Sequence, residues 1–235
     1  MAVMGFSTGA LAKGDVSKGI EIVSRLSLKA IELSALRVHE LDALEQAADS
    51  VDMTQFAYIS MHAPTDYTPE QEAEVAARLH VLAVQHDWPV VIHPDCVTDH
   101  AAWKTFGELL CIENMDKRKA IGRTADELRP WFEEFQEASL CFDIAHAQQV
   151  DPSMTEAYRI LREFGSRICQ LHVSEVTSSS KHDRLSEGAI RAFVEVAEQL
   201  PLDVPSILET PVDEEYARAE LTQAERIFEA TLKPV

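Results

Sequence analysis

The chain is poor in basic residues, which limits the partners it can bind. Its 235 residues include 21 Lys and Arg against 40 Asp and Glu, a formal net charge of −19. Proteins that hold a nucleic-acid duplex neutralise its phosphates with Lys and Arg, yet no basic run here goes beyond KRK at Lys117–Lys119. Because the field of the whole molecule should repel a polyanion, we expect nucleic acid to be a disfavoured partner.

The chain also lacks paired cysteines and long apolar runs. Cys96, Cys111, Cys141 and Cys169 are isolated, with no C-x-x-C pair, so we expect reduced thiols and neither a disulfide nor a cysteine-based metal site. No run approaches the 18 or so apolar residues of a membrane span. The first residues also lack a charged region followed by an apolar stretch. We therefore expect a cytoplasmic protein without a membrane segment.

Short apolar segments recur along the chain, and each carries or precedes a polar residue that can bind a metal or move a proton. The steps between these polar residues are 30, 31, 20, 30, 29 and 37 positions, and a strand followed by a helix needs about 30 residues. An earlier segment, MGFSTG, opens the series and brings the number of segments to eight. The polar residues are Glu32, His62, His93, Glu113, Asp143, His172 and Glu209.

The apolar segments VVI, LLCI and SIL are almost continuous rather than alternating, which is typical of parallel strands covered on both faces. The length lies slightly below the roughly 250 residues typical of a TIM barrel, and the composition shows no linker. We therefore predict a single (β/α)₈ TIM barrel over residues 1–235. Its active site should lie at the C-terminal ends of the strands, where the polar residues would converge.

Helix signals occupy the segments between these strands. Thr68, Pro69 and Glu70 offer an N-cap, a proline at the first helical position and an acidic first turn. Further helices are expected to begin near residues 123–127, 151–152, 186 and 213, with a shorter one around 101–106. The longest loop-like stretch, Ser174–Gly188, follows the seventh strand. Long loops at this end of a barrel commonly carry function.

Four of the polar residues come from consecutive strands, the fifth to the eighth. Three carboxylates and one imidazole aimed into one cavity would repel one another and raise carboxyl pKa values unless a cation lies among them. The alternative is that each is a solvated residue at the start of a loop. Because all four share one register, we predict a site for Mn²⁺, Zn²⁺, Mg²⁺ or Co²⁺. Its ligands are Glu113, Asp143, His172 and Glu209.

Four histidines extend this site. His62 and His93 precede Glu113 around the barrel and could bind a second ion with it. Alternatively, they are substrate contacts or histidines packed in the core. His146 closely follows the sixth strand and His182 lies in the long loop. These two could meet over the mouth of the barrel, as substrate contacts or as part of a third metal site.

The set resembles, in order and spacing, the xylose-isomerase-like TIM-barrel superfamily. This superfamily includes sugar and sugar-phosphate isomerases and epimerases alongside endonuclease IV. The resemblance extends from about the third strand to the eighth, and it is more specific for the superfamily than for any member. The matching fragments are H-A-P at His62, I-H-P at His93, I-E-N at Glu113, F-D-I-A-H at Asp143 and His146, L-H-V-S-E at His172, H-D-R-L-S-E-G at His182, and L-E-T at Glu209.

The resemblance implies two alternative chemistries. In the epimerase branch, the four predicted ligands hold one divalent ion, and the residues matching Glu113 and Glu209 act as general acid and base. In the endonuclease branch, those ligands hold one zinc ion, and His62, His93 and Glu113 match the ligands of another. A third zinc is held there by the two remaining histidines and an acidic residue, at whose position this chain has Ser180.

We expect an isomerase or epimerase that moves a proton on a sugar or sugar phosphate through an enediolate, with a divalent metal ion stabilising the developing charge. One alternative is a metal-dependent phosphodiesterase of the endonuclease IV (abasic-site) type. Another is a non-catalytic barrel that binds a polyol or a metal. The expected partner is a small sugar, whose phosphate would contact Lys181 and Arg184 in the long loop. The helix faces could support a homo-oligomer.

Overall fold

Eight parallel strands close into a barrel in the computed structural model, which describes residues 3–201 and 203–229. The described residues form ten strands, eight in the barrel and two in a hairpin outside it: β1 (Met4–Ser7), β2 (Ala30–Ser34), β3 (Tyr58–His62), β4 (Val90–Ile92), β5 (Leu110–Glu113), β6 (Ser139–Asp143), β7 (Ile168–Val173), β8 (Glu175–Val176), β9 (His182–Asp183) and β10 (Ser206–Leu208). Strands β1 to β7 follow chain order around the barrel, and β10 closes it between β7 and β1. The antiparallel pair β8–β9 forms a hairpin in the loop after β7. The predicted (β/α)₈ fold is confirmed.

Helices fill the connections between the strands. They are α1 (Thr8–Ala12), α2 (Val16–Arg25), α3 (Leu41–Ser50), α4 (Pro69–His86), α5 (His100–Lys104), α6 (Ala125–Glu134), α7 (Ile144–Val150), α8 (Thr155–Phe164), α9 (Glu187–Ala197) and α10 (Glu214–Glu229). Short 3₁₀ turns lie at Val38–Glu40, Pro94–Cys96, Gly107–Leu109 and Gly165–Arg167. Within the described ranges, no helix is long and apolar enough to cross a membrane.

Local hydrogen bonds decide where the helices begin. The backbone amide of Thr68 donates to Gln71 Oε1 (3.0 Å), and α4 starts at the next residue, as its cap and proline predict. The helix expected from residue 151 begins later, at Thr155. Asp151 instead forms a turn, because its Oδ1 accepts from the amide (3.0 Å) and the hydroxyl (2.7 Å) of Ser153.

The register of the barrel sets the polar residues in layers. Asp143 on β6 is level with His172 on β7, and Glu113 on β5 is level with Cys141. Neighbouring strands are therefore staggered, as closure of a barrel requires. Side chains two residues apart on one strand point to the same side. The barrel interior thus carries one layer of potential metal ligands near its C-terminal end and a second polar layer below it.

Three cysteines meet below the potential ligands. The Sγ atoms of Cys111 on β5 and Cys169 on β7 lie 2.7 Å apart. Cys141 on β6 belongs to the same small cluster, together with Val91. A register shift between β6 and β7 begins at Leu140. All four cysteines of the chain are free thiols, but their spacing in the sequence does not reveal this contact.

A buried carboxylate anchors the short connection between β4 and β5. Glu72 on α4 accepts hydrogen bonds from the amides of Thr98 (2.9 Å) and Asp99 (3.0 Å) and from Trp103 Nε1 (2.9 Å). Burial by itself would raise the pKa of the Glu72 carboxyl, but these donors hold it below its usual value. The side chain thus ties α5 and the segment before it to α4.

We predict that Glu72→Ala lowers the free energy of unfolding by about 3 kcal/mol, because several donors, among them the buried indole of Trp103, lose their acceptor. The wild-type contribution should be complete above the ordinary carboxyl pKa of about 4.3 and lost as the pH falls through the lowered value. Urea unfolding between pH 7 and pH 3 measures both effects. Glu74→Ala, at an exposed position of the same helix, is the control. An equal loss in both variants would contradict this role for Glu72.

Candidate metal centre

The structure brings together the four side chains predicted to bind the principal metal ion. One ligand atom from each of Glu113, Asp143, His172 and Glu209 lies within 4.8 Å of those from the other three. His172 Nδ1 is 3.4 Å from Glu113 Oε1 and 3.3 Å from Glu209 Oε2. Glu113, Asp143 and His172 are almost completely buried, whereas Glu209 is partly accessible. The site therefore opens to solvent on the Glu209 side.

Several of the converging atoms lack a hydrogen-bond partner. Within the described ranges, Glu113 Oε1, Asp143 Oδ2 and His172 Nδ1 are buried and make no hydrogen bond. A buried polar atom left unpaired costs roughly 1–3 kcal/mol, and more if it is charged. A single divalent cation would satisfy all three atoms. The donor set of three carboxylates and one imidazole thus fits the metal ion that the sequence predicts.

Glu113 also belongs to a second group of metal-binding side chains. Its Oε2 lies 3.3 Å from His62 Nε2 and 3.1 Å from His93 Nε2. The ligand atoms of the three residues all lie within 4.8 Å of one another. His62 Nδ1 donates to the carbonyl oxygen of Ala63 (2.9 Å), which leaves Nε2 to face Glu113. The two oxygens of Glu113 therefore face different groups, as in a carboxylate that bridges two ions.

The other two predicted histidines meet at the mouth of the barrel. The ring centres of His146 and His182 lie 5.6 Å apart. His146 Nδ1 donates to the carbonyl oxygen of Asn114 (2.9 Å). The hydroxyl of Ser180, at the position where the endonuclease branch has an acid, donates to Gln149 Oε1 (2.9 Å). This position therefore supplies no carboxylate to a third ion.

The buried acids and imidazoles shift one another's pKa values. Burial raises the pKa of the Asp143 carboxyl and that of Glu209. Burial would lower the pKa of His146, but Asp143 and Glu113 outweigh it and raise this pKa to about 10. The pKa of His62 is raised to about 9, against burial, chiefly by Glu113. Protonated imidazoles and a bound cation are two ways of neutralising the same carboxylates.

A cavity of about 780 Å³ lies over these groups, a size suited to a small-molecule ligand. Glu113, Glu209 and Lys181 are among the residues that line it. Arg184 lies outside this cavity, with its Nε 3.4 Å from Glu220 Oε2. Of the two cations predicted to contact the substrate, the loop therefore brings Lys181 to the cavity and not Arg184.

Comparison with known proteins identifies the family. The family model described as a xylose isomerase-like TIM barrel matches residues 99–231, more than half of the chain. The chain belongs to this family. The matched region contains all four predicted ligands of the principal ion. No curated protein sequence matches the chain.

Solved structures share this xylose isomerase-like fold at low sequence identity. A D-tagatose 3-epimerase-like protein has a TM-score of 0.67 and 17% identity, covering 97% of this chain and 98% of that chain. The 3-keto-D-glucoside 4-epimerase of E. coli has a TM-score of 0.62 and 9% identity, covering 97% and 99%. The IolI protein with a bound zinc atom has a TM-score of 0.60 and 12% identity, covering 97% of each chain. At such identities the likeness shows the fold alone.

Within this family fold, Glu32 supports the principal centre from below. Its Oε2 lies 3.0 Å from His172 Nε2 and accepts hydrogen bonds from Gln170 Nε2 (2.7 Å) and Ser60 Oγ (3.3 Å). Because the carboxylate accepts, His172 holds its proton on Nε2 and presents Nδ1 to the other ligands. The sequence placed Glu32 first in the polar series, but its contact with His172 was not predicted.

Asn114 is a second supporting residue that the sequence did not single out. Its Nδ2 donates to the carbonyl oxygen of Asp143 (2.8 Å), and its Oδ1 accepts from the amide of Asp143 (2.8 Å). These two hydrogen bonds join the ends of β5 and β6. They therefore hold the backbones of Glu113 and Asp143 at a constant separation. The sequence feature that could have identified Asn114 is the I-E-N fragment, of which it is the last residue.

We predict that Asp143→Ala and His172→Ala each abolish binding of the principal ion, because each removes one of four ligands. His80→Ala should leave the metal content unchanged, since His80 Nε2 lies 3.1 Å from the carbonyl oxygen of Thr105 on the outside of the barrel. Elemental analysis after dialysis against Mn²⁺ or Zn²⁺ measures the ions per chain. Equal loss of metal in all three variants would show that these ligands are misidentified.

We further predict that Glu32→Gln weakens metal binding about 10- to 100-fold without removing a ligand, because a partner that orients a ligating histidine contributes on this scale. Titration against a chromophoric chelator gives the affinity, and thermal unfolding of the metal-free protein reports on folding. Glu74→Gln is the matched surface control. Unchanged affinity in Glu32→Gln would mean that Glu32 only stabilises the core.

Proposed function

We propose that this xylose isomerase-like chain is a divalent-metal-dependent isomerase or epimerase that moves a proton on a sugar or sugar phosphate. The observation that carries the proposal is the placement of two carboxylates. Glu113 and Glu209 approach the same atom, His172 Nδ1, at 3.4 Å and 3.3 Å, and both line the cavity. Two carboxylates beside one small-molecule site can remove and return a proton.

The chain's own residues account for the proton transfers. One of the two glutamates removes the proton from the carbon next to the carbonyl, and the other delivers a proton to the opposite face or to the neighbouring oxygen. His62 and His146 face Glu113 Oε2 and Oε1 at 3.3 Å and 3.2 Å and keep this carboxylate in position. A divalent ion held by the four ligands would polarise the carbonyl and stabilise the negative charge that develops on it.

The structural neighbours support the same chemistry. Two of them are named as an epimerase or an epimerase-like protein. Two others contain metal ions, zinc in the IolI protein and magnesium in a xylose isomerase-like protein from Mycobacterium smegmatis. Epimerases and metal-containing proteins are therefore both represented among proteins of this fold.

A second candidate function is metal-dependent phosphodiester hydrolysis of the endonuclease type. The observation that favours it is the second ligand group, in which His62 and His93 share Glu113 with the principal centre. Two ions bridged by one carboxylate can activate water and stabilise a leaving group. The net charge of −19 opposes it, because duplex binding depends on cations that displace counterions. A barrel that binds a polyol or metal without turnover is the third candidate.

We predict that the protein, incubated with Mn²⁺ and a panel of ketoses and ketose phosphates in heavy water, places deuterium on the carbon next to the carbonyl. Glu113→Gln and Glu209→Gln should each stop the exchange, because each removes one partner of the proton transfer. Nuclear magnetic resonance of the recovered sugars measures the exchange. Metal content is determined in the same samples, because both residues are also predicted ligands.

Glu74→Gln is the control for this experiment and should exchange deuterium like the wild type. DNA that contains abasic sites is incubated with the same protein in parallel. Strand nicking without deuterium exchange would reject the isomerase proposal in favour of the phosphodiesterase. Ligand binding without either reaction would favour the non-catalytic barrel.

A further inference from the structure

Basic residues gather in the cavity above the candidate metal centre, against the charge of the chain as a whole. Five of the 21 Lys and Arg residues line this one cavity, although the net charge is −19. They come from the segments that follow four different strands, β1, β2, β5 and β7. The five are Lys13, Arg37, Arg118, Lys119 and Lys181.

Three of these cations lie within ion-pair distance of a carboxylate, and Arg37 and Lys119 hold the two shorter pairs. Arg37 Nη1 lies 3.2 Å from Glu40 Oε1. Lys119 Nζ donates to Asp95 Oδ2 at 2.8 Å. Because their charges are largely compensated within the protein, they have less to offer a ligand than the remaining three.

A contact between two loops brings Arg118 close to Lys181. Arg118 Nη2 donates to the carbonyl oxygen of Ser180 (2.8 Å), the residue before Lys181, and Arg118 Nε lies 3.5 Å from Asp116 Oδ1. Thr177 holds the turn, since its amide donates to the Lys181 carbonyl (2.9 Å) and its Oγ1 accepts from the Lys181 amide (3.2 Å). The ammonium group of Lys181 forms no ion pair within residues 3–201 and 203–229.

These two cations lie close to the proposed acid–base pair. His182 follows Lys181 directly, and its Nε2 is 3.6 Å from Glu209 Oε2. Lys181 and Glu209 also line the same cavity. An anionic group at Lys181 and a carbonyl carbon beside Glu209 can therefore belong to one small molecule. Among the described residues, a neutral sugar would leave the charge of Lys181 without a partner and that of Arg118 shared with Asp116 alone.

We propose that the substrate carries an anionic group, a phosphate or a carboxylate, which binds between Lys181 and Arg118 while the carbonyl end lies at Glu113 and Glu209. This inference rests on the proposed function of the same site. The ammonium group offers three donors and the guanidinium a planar fork, both of which suit the oxygens of such groups. Glu113 and Glu209 thus recognise one end of the substrate, and Lys181 and Arg118 recognise the other.

Calorimetric titration of the purified protein in Mn²⁺ tests this inference with matched ligands. The ligands are D-ribulose and its 5-phosphate, D-fructose and its 6-phosphate, D-fructuronate as the carboxylate, and inorganic phosphate. At least one anionic sugar should bind about tenfold or more tightly than its neutral counterpart. The anionic group, phosphate or carboxylate, that gives the larger increase in affinity over the neutral sugar is the one that the site recognises.

Lys181→Gln and Arg118→Gln should each remove most of this advantage and leave the affinity for the neutral sugars unchanged. Lys18→Gln, at an exposed position of α2 on the outside of the barrel, is the matched control and should bind like the wild type. Circular dichroism verifies that the variants fold. Equal affinities within each pair, an advantage that persists in the Lys181→Gln/Arg118→Gln double variant, or no binding of any anion would overturn the inference.

The outcome is separable from that of the proposed function. Deuterium exchange on neutral ketoses only, with no preference for anions, would reject the anionic substrate and leave the isomerase proposal standing. Anion binding that depends on Lys181 and Arg118, without exchange on any ligand, would reject the isomerase proposal and support the anion site.

Discussion

One buried carboxylate organises the site, and the other ligands are placed relative to it. Glu113 ends β5, and each of its oxygens faces two imidazoles. Oε2 lies 3.3 Å from His62 and 3.1 Å from His93, and Oε1 lies 3.2 Å from His146 and 3.4 Å from His172. A carboxylate at this depth is tolerated only where positive charge and hydrogen bonds compensate for its lost hydration. The segments around the barrel mouth therefore have to present their histidines toward it.

Contacts between strands keep this arrangement in place. Asn114 joins the ends of β5 and β6, and Glu32 on β2 holds His172 on β7 from below. Because these supports belong to the barrel, the ligand positions depend on its closure and not on loop conformation. His182, in contrast, lies on the hairpin after β7. The fold thus separates the predicted metal ligands, which the barrel holds in place, from a loop on which substrate contacts can vary.

The charged residues that line the cavity differ in balance from the acidic chain as a whole. The overall acidity of the chain repels large polyanions, but fields between exposed charges are screened beyond about 8 Å at physiological ionic strength. A small ligand in the cavity experiences mainly the groups that line it. These include Glu113 and Glu209, two of the predicted metal ligands, and Lys181 and Arg118 on the loops. The proposed anionic group can therefore bind in the cavity of a chain whose net charge opposes a nucleic acid.

The sequence by itself determined the eight-stranded barrel and the polar residues that meet at one end of it, because strand-helix spacing and the C-terminal position of each polar residue are local properties. Helix starts such as Thr68 were predictable for the same reason. Only the tertiary structure decided which residues support the ligands and which cations reach the cavity. Glu32 contacts His172 across 140 positions, and Arg118 contacts the loop of Lys181 across 62. Such contacts depend on the stagger of the strands and the direction of each side chain, which sequence spacing does not specify.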